Sequence, residues 1–179
     1  MKKIYRDISG IRADSLQDQL LKARDTVVLD KLDIHNHYEL VKEFNEKLFI
    51  NDCNAIDMNA CMATIDQQAG NVIWICYAPP MKRDLKSLES IVKEKVKALF
   101  CLGESSDRFY EAFGEHVELF IKIDSVNEGV LTANSYGSKG DVILFSPGSP
   151  NYKFFESDVD WNKEFRKAIR IIVKNENNG

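Results

Sequence analysis

The chain has 179 residues, 44% hydrophobic and 29% charged, which is one domain's worth with a sizeable core and no room for a second catalytic domain. Nine Gly and four Pro are too few for a collagenous or disordered chain. Its 24 basic and 28 acidic residues sum to −4, without the basic excess of a nucleic-acid binder, and no run approaches the ~18 apolar residues of a membrane span.

Met1-Lys2-Lys3 has the charge of a signal n-region, but Tyr5-Arg6-Asp7 interrupts any apolar core, so a cytoplasmic location is expected. Asp14 and Gln17 form a capping-box pattern ahead of Leu16, Leu20 and Leu21, which predicts an amphipathic helix over 14–24. Residues 25–36 read as a linker. Tyr38 to Phe44 and Leu48 to Asn51 are β-type runs separated by Asn45-Glu46-Lys47, a hairpin. Met58, Cys61, Met62 and Ile65 then keep the i, i+3, i+4, i+7 spacing of a helix.

From here strands and helices alternate. Val72 to Tyr77 has buried-strand length, Leu85, Leu88, Ile91 and Val92 mark a helix, and Ala98 to Leu102 a strand. Phe109, Ala112 and Phe113 mark a helix, Val117 to Ile123 a strand, and Ser125 with Glu128 caps another helix. Asp141 to Phe145 is a strand. Asp160 caps a helix burying Trp161, Phe165, Ile169 and Ile172, and Asn175 to Gly179 is a frayed polar tail. The alternation predicts an α/β, Rossmann-like three-layer sandwich, mainly parallel, with helices on both faces. Parallel strands put Asn51 to Ala55, Ala78 to Asp84, Gly103 to Ser106 and Ser146 to Asn151 at one carboxyl edge, where a small-molecule site belongs.

The chain contains neither G-x-x-x-x-G-K-[ST] nor G-x-G-x-x-G, so it has no recognisable nucleotide site of its own. Asn51-Asp52-Cys53-Asn54 ends a strand and opens a helix, which suits ligand binding at a positive helix end and a lowered Cys53 thiol pKa. Helix capping by Asn54 or Asp57 accounts for the same residues. The turn from Ser146 through Ser149 to Asn151 offers hydroxyls and amides to a carboxylate, or is simple turn punctuation. Lys82 and Arg83, with Lys86, suit an anion or a solvated loop. His35 and His37 make a metal pair only with a third ligand. Cys53, Cys61, Cys76 and Cys101 form no C-x-x-C pair, and at least three sit in apolar segments as reduced thiols.

Taken together, His37-Tyr38-Glu39-Leu40-Val41, Phe49-Ile50-Asn51-Asp52, Val96 to Gly103, Gly140 to Pro147 and Phe165 resemble, in order and spacing over roughly residues 10 to 174, the carboxy-terminal domain of the Mur ligases. The nearest branch adds D-glutamate to UDP-N-acetylmuramoyl-L-alanine in peptidoglycan synthesis. The resemblance implies a Rossmann-like domain, residues 37–174, that closes over a central ATPase domain and helps hold the incoming amino acid. Residues 1–36 then resemble the last helix of that central domain plus a linker, and 175–179 a disordered tail. ATP and magnesium would belong to domains absent from these residues, so no cofactor, metal or catalytic residue is expected here.

Against the family's Asn-Asp-Ser-Lys-Ala-Thr-Asn stands Asn51-Asp52-Cys53-Asn54-Ala55-Ile56-Asp57. An amide therefore replaces the lysine that meets the substrate carboxylate. The family's Gly-Gly-x-x-Lys turn falls on Tyr77-Ala78-Pro79-Pro80-Met81, with Lys82 one residue on, and its Ser-Pro-Ala-Cys/Ala-Ser turn on Ser146-Pro147-Gly148-Ser149-Pro150. The resemblance implies candidate ligand residues Asn51, Asp52, Asn54, Lys82, Ser146, Ser149 and Asn151, a small anionic ligand, and an amino-acid site that has lost its charge. Three functions follow as expectations: a ligase-related domain with a degraded site, not catalytic alone; the substrate-closing part of a divergent ATP-dependent amino-acid ligase; or an interaction module that self-associates or docks on a Mur-type enzyme through residues 14–24.

Overall fold

The computed structural model describes residues 38–55, 57–79, 84–149 and 160–177. The expected helix over 14–24, the linker and the His35/His37 pair lie outside them.

The strands β1 (Glu39–Phe44) and β2 (Lys47–Asn51) form an antiparallel hairpin. Asn45 and Glu46 have φ of 49° and 57°, a two-residue type I′ turn whose twist matches the strands, so Lys47 opens β2 instead of lying in the loop. Helix α1 (Met58–Asp66) is capped by Asp57, which accepts from the Ala60 N–H at 2.9 Å. After β3 (Val72–Tyr77) a 3-10 turn (Lys86–Leu88) leads into α2 (Glu89–Lys95), which runs directly into β4 (Val96–Leu102). That strand starts two residues before the expected Ala98. Val96 pairs with Val72 and Ala98 with Ile73, leaving Lys97 as the extra residue of a bulge.

Helix α3 (Ser106–Phe113) and β5 (Leu119–Lys122) follow, the strand shorter than the expected 117–123. Helix α4 (Val126–Tyr136) begins as expected: Ser125 Oγ accepts from the Glu128 N–H at 3.1 Å, and Glu128 accepts from the Asp124 N–H at 2.8 Å. After β6 (Val142–Phe145), α5 (Trp161–Asn177) starts at an Asp160 carboxylate that accepts from the Lys163 N–H at 3.1 Å. It continues through Asn177 rather than fraying at Asn175, because the Asn45 side chain in the hairpin turn donates to Glu176 in its last turn.

The sheet order is β1-β2-β6-β3-β4-β5, parallel throughout except for β1. All six residues of β3 and all four of β6 are buried, which requires helices on both faces. Val72, Trp74, Cys76, Val142 and Leu144 pack under α1, α2 and α3 with Ile65, Val92 and Phe113. Ile73, Ile75, Ile143 and Phe145 pack under α4 and α5 with Val130 and Phe165. The three-layer α/β sandwich read from the sequence is the observed one. Among the described residues no helix is long and apolar enough to cross a membrane.

Phe165 is fully buried and stacks on Phe145 at 5.9 Å between ring centroids. Phe165→Ala is expected to lower the unfolding free energy by about 3–5 kcal/mol, read from urea denaturation, because it opens a cavity between α5 and the sheet centre.

Candidate ligand edge

Successive strand residues point to opposite faces, and this divides the Asn51-Asp52 pair. Asp52 turns toward α1, where its Oδ2 accepts from Thr64 Oγ1 at 2.7 Å and from Ser146 Oγ at 2.9 Å. Asn51 turns toward α5 and donates through Nδ2 to Asn162 Oδ1 at 2.8 Å. Both are buried, at 0% and 3% exposure for Asn51 and Asp52. Asn51 Oδ1 is buried and has no hydrogen-bond partner among the described residues.

Ser146 is the knot of this edge. Its N–H donates to the Ile75 carbonyl at 3.1 Å, and its own carbonyl accepts from Trp74 Nε1 at 2.8 Å and Cys61 Sγ at 3.4 Å. The Asp52 N–H reaches the Phe145 carbonyl at 2.8 Å, and the Tyr77 N–H reaches the Pro147 carbonyl at 3.3 Å. One turn thus ties the ends of β2, β3 and β6 to α1. Gly148 continues it at φ +63°, and a Cβ there would lie 2.4 Å from Met58 Cε and 2.9 Å from Cys61 Sγ, so both the conformation and the space call for glycine.

Asn51, Asp52 and Ser146 therefore meet at one edge, as expected, but their side chains hold the fold on two faces. Ser149 is fully buried beside them and Asn54 is half-buried in the turn after β2. Lys82 and Asn151 lie outside the described residues. Lys86 sits on the 3-10 turn, its N–H bonded to Asp84 Oδ1 at 3.0 Å.

The expected activation of Cys53 is reversed. Its thiol pKa is pushed up from 9.0 to about 11, first by burial and then by the charges of Asp52 and Asp160. Helix α1 begins at Met58, and Asp57 rather than Asn54 caps it, so Cys53 stands four residues ahead of the cap, beyond the reach of the dipole.

The sequence reading missed Thr64, Cys61 and Trp74 as partners of the motif, and Asn162 and Arg166 on α5. Arg166 Nε donates to Asn162 Oδ1 at 2.9 Å, and its guanidinium pairs with Glu39 of β1. The available signals were a Thr at the i+3 position of a buried helix stripe and an indole in an apolar strand, each of which must find a partner. Among the described residues no three His, Cys, Asp or Glu side chains gather as metal donors.

Thr64→Val removes a donor from a carboxylate that stays buried, and is expected to cost about 1–3 kcal/mol in urea denaturation. Cys53 is expected to alkylate with iodoacetamide at a rate that climbs with pH up to about 11. The folded thiol keeps a proton that the unfolded chain releases above 9.0, so this group's contribution to stability falls as pH rises from 9.0 to about 11.

No family model matches the chain. The UDP-N-acetylmuramoylalanine-D-glutamate ligase of Christiangramia forsetii is 30% identical over 164 residues, 89% of this chain and 37% of that protein. The enzyme of the same name from Chlorobium phaeobacteroides is 32% identical over 136 residues, 76% of this chain and 29% of that protein. The chain thus spans about a third of the length of these curated relatives. Among solved structures, a bifunctional folylpolyglutamate synthase/dihydrofolate synthase from Yersinia pestis superposes with a TM-score of 0.50 at 15% identity, over 83% of this chain and 33% of that one. A murein peptide ligase from Psychrobacter arcticus does so with a TM-score of 0.50 at 15% identity, over 74% and 30%. At such identities the structural likeness is one of fold, and the sequence likeness gives it a family: this chain carries a carboxy-terminal domain of the Mur ligase family, related to the peptidoglycan ligases that add D-glutamate.

Proposed function

We propose that this is a cytoplasmic Mur-type closing domain whose amino-acid site has been altered, and that it joins no amino acid to a substrate by itself. The observation that carries the reading is where its motif groups are spent. The Asp52 carboxylate and Ser146 hydroxyl bond each other inside the fold, with Thr64 and Cys61 around them. Asn54 stands where the family's motif has its lysine, and an amide cannot replace a charge-assisted bond to a carboxylate. On the other face of β2, Arg166 is already neutralised by Glu39. The sequence also lacks a Gly-rich loop whose backbone N–H groups would cradle a nucleotide's phosphates. A role for the domain in ligation would therefore draw on nucleotide chemistry supplied from outside these residues.

The test is a titration of D-glutamate into the 15N-labelled chain. No saturable shift is expected at Asn51 to Ala55 or Ser146 to Ser149. Asn54→Lys should raise affinity about ten- to hundredfold, the ~1.5–3 kcal/mol of a hydrogen bond to a charged group. Saturable binding by the unaltered chain overturns the altered-site reading. Calorimetry with Mg-ATP is expected to show no micromolar site, and a single such site would remove the argument from the missing phosphate loop.

A further inference from the structure

Away from the carboxyl edge, β1 and α5 enclose an open groove of about 510 Å³. Its floor is aliphatic: Val41 from the strand, Ile169 and Val173 from the helix. Its rim is cationic: Lys42 from the strand, with Arg166, Arg170 and Lys174 from successive turns of the helix. Glu39 neutralises Arg166, whereas Lys42, Arg170 and Lys174 have no acidic partner among the described residues. The chain as a whole is net negative, at −4, so three cations without acidic partners among the described residues, set above an aliphatic floor, are a local concentration of charge against the average.

We infer that this groove is a docking site for an acidic peptide segment of a partner protein, one that alternates carboxylates with aliphatic side chains. The spacing fits. Residues four apart on α5 rise about 6 Å per step, and alternate residues of an extended segment advance about 6.6 Å. Carboxylates at every second position therefore fall in register with Arg170 and Lys174 on the α5 wall, and the intervening side chains, on the opposite face of the segment, meet the β1 wall at Val41. Charge supplies the encounter rate and the register, and the aliphatic contacts supply the residence. A single-stranded nucleic acid would gain from aromatic faces to stack on, and the groove is lined by branched aliphatics in place of aromatic rings. β1 is the last strand of the sheet, but its pairing slips between Leu40 and Lys42. That irregularity interrupts its free edge as a template for strand addition and leaves the groove wall as the recognition surface.

The experiment follows the 15N-labelled full chain by NMR as an acetylated, amidated peptide Glu-Leu-Glu-Val-Glu-Leu-Glu is added. Saturable shifts are expected at Val41, Lys42 and Arg166 to Lys174, weakening as salt is raised. The double variant Arg170→Glu/Lys174→Glu changes two exposed side chains, so it should fold as the parent does, and it is expected to lose at least tenfold in affinity. A peptide with Lys in place of Glu should not bind. Three results overturn the proposal: no shifts at millimolar peptide, equal affinity in the charge-reversed variant, or stronger binding at the same residues by phosphatidylglycerol vesicles or a single-stranded oligonucleotide.

Discussion

β6 is the last strand among the described residues, yet it lies between β2 and β3, and the rest of the structure depends on that insertion. Ile143 pairs with Phe49 on one side and Ile73 on the other. A strand hydrogen-bonded on both edges and covered on both faces has no polar outlet along its length, so its four residues are apolar. Polar chemistry can begin only where β6 ends, at Ser146. The chain leaves β2 toward α1 on one face, and α5, which follows β6, covers the other. The two connections diverge at the carboxyl edge, which is the crevice where open α/β sheets bind ligands. There Ser146 bonds at once to Asp52 at the end of β2, Trp74 of β3 and Cys61 of α1.

The opposite ends of the strands are pinned by charge. Lys97, displaced by the bulge in β4, donates to Asp141 just ahead of β6 at 2.8 Å, and the hydrogen bond to that carboxylate, against a smaller burial penalty, raises its pKa. The same Asp141 oxygen accepts from the Ser138 N–H at 2.8 Å. Lys47, nearly buried, donates to the Asn134 carbonyl at 2.7 Å. Lys47 and Lys97 are thus fixed at the amino edge, where they hold α4 and β6 in place, while the ends of β2, β3 and β6 are tied at the carboxyl edge by hydroxyl, thiol and indole groups around the Asp52 carboxylate.

What the sequence made legible, and what it hid, divides along the range of the forces involved. Val72 to Tyr77 is readable as a doubly covered strand because local composition reports burial directly, and Ser125 with Glu128 is readable as a cap because the bonds span three and four residues. The neighbour order of the strands is not local: nothing between residues 51 and 142 says that β6 will separate β2 from β3. The side-chain knots share that property, since Asp52 to Ser146 spans 94 positions and Asn51 to Asn162 spans 111. The expectation for Cys53 failed for a related reason. Its residues lie next to a helix, but the cap that decides where the helix begins is Asp57, and the burial that raises the thiol comes from the packed fold around it. Resemblance to the Mur ligases carried the reading past this limit, because a family motif records which distant residues meet.

The same burial explains which parts of that motif stand in this chain. On the β2 side, Asn51, Asp52 and Ala55 agree with the family pattern and are 0%, 3% and 1% exposed. Cys53 and Asn54 depart from it and are half-buried. Replacing Asp52 takes the acceptor of Thr64 and leaves Ser146 only the weaker Cys61 sulfur, and replacing Asn51 removes one partner of Asn162. Losing the Asp52 carboxylate leaves the buried Thr64 hydroxyl without its acceptor, at about 1–3 kcal/mol, a large fraction of a domain's 5–15 kcal/mol of stability. A change at residue 54 disturbs no such side-chain bond among the described residues. The half-buried residues that follow β2 can therefore depart from the family pattern under a constant fold, and agreement at Asn51, Asp52 and Ser146 attests to the framework.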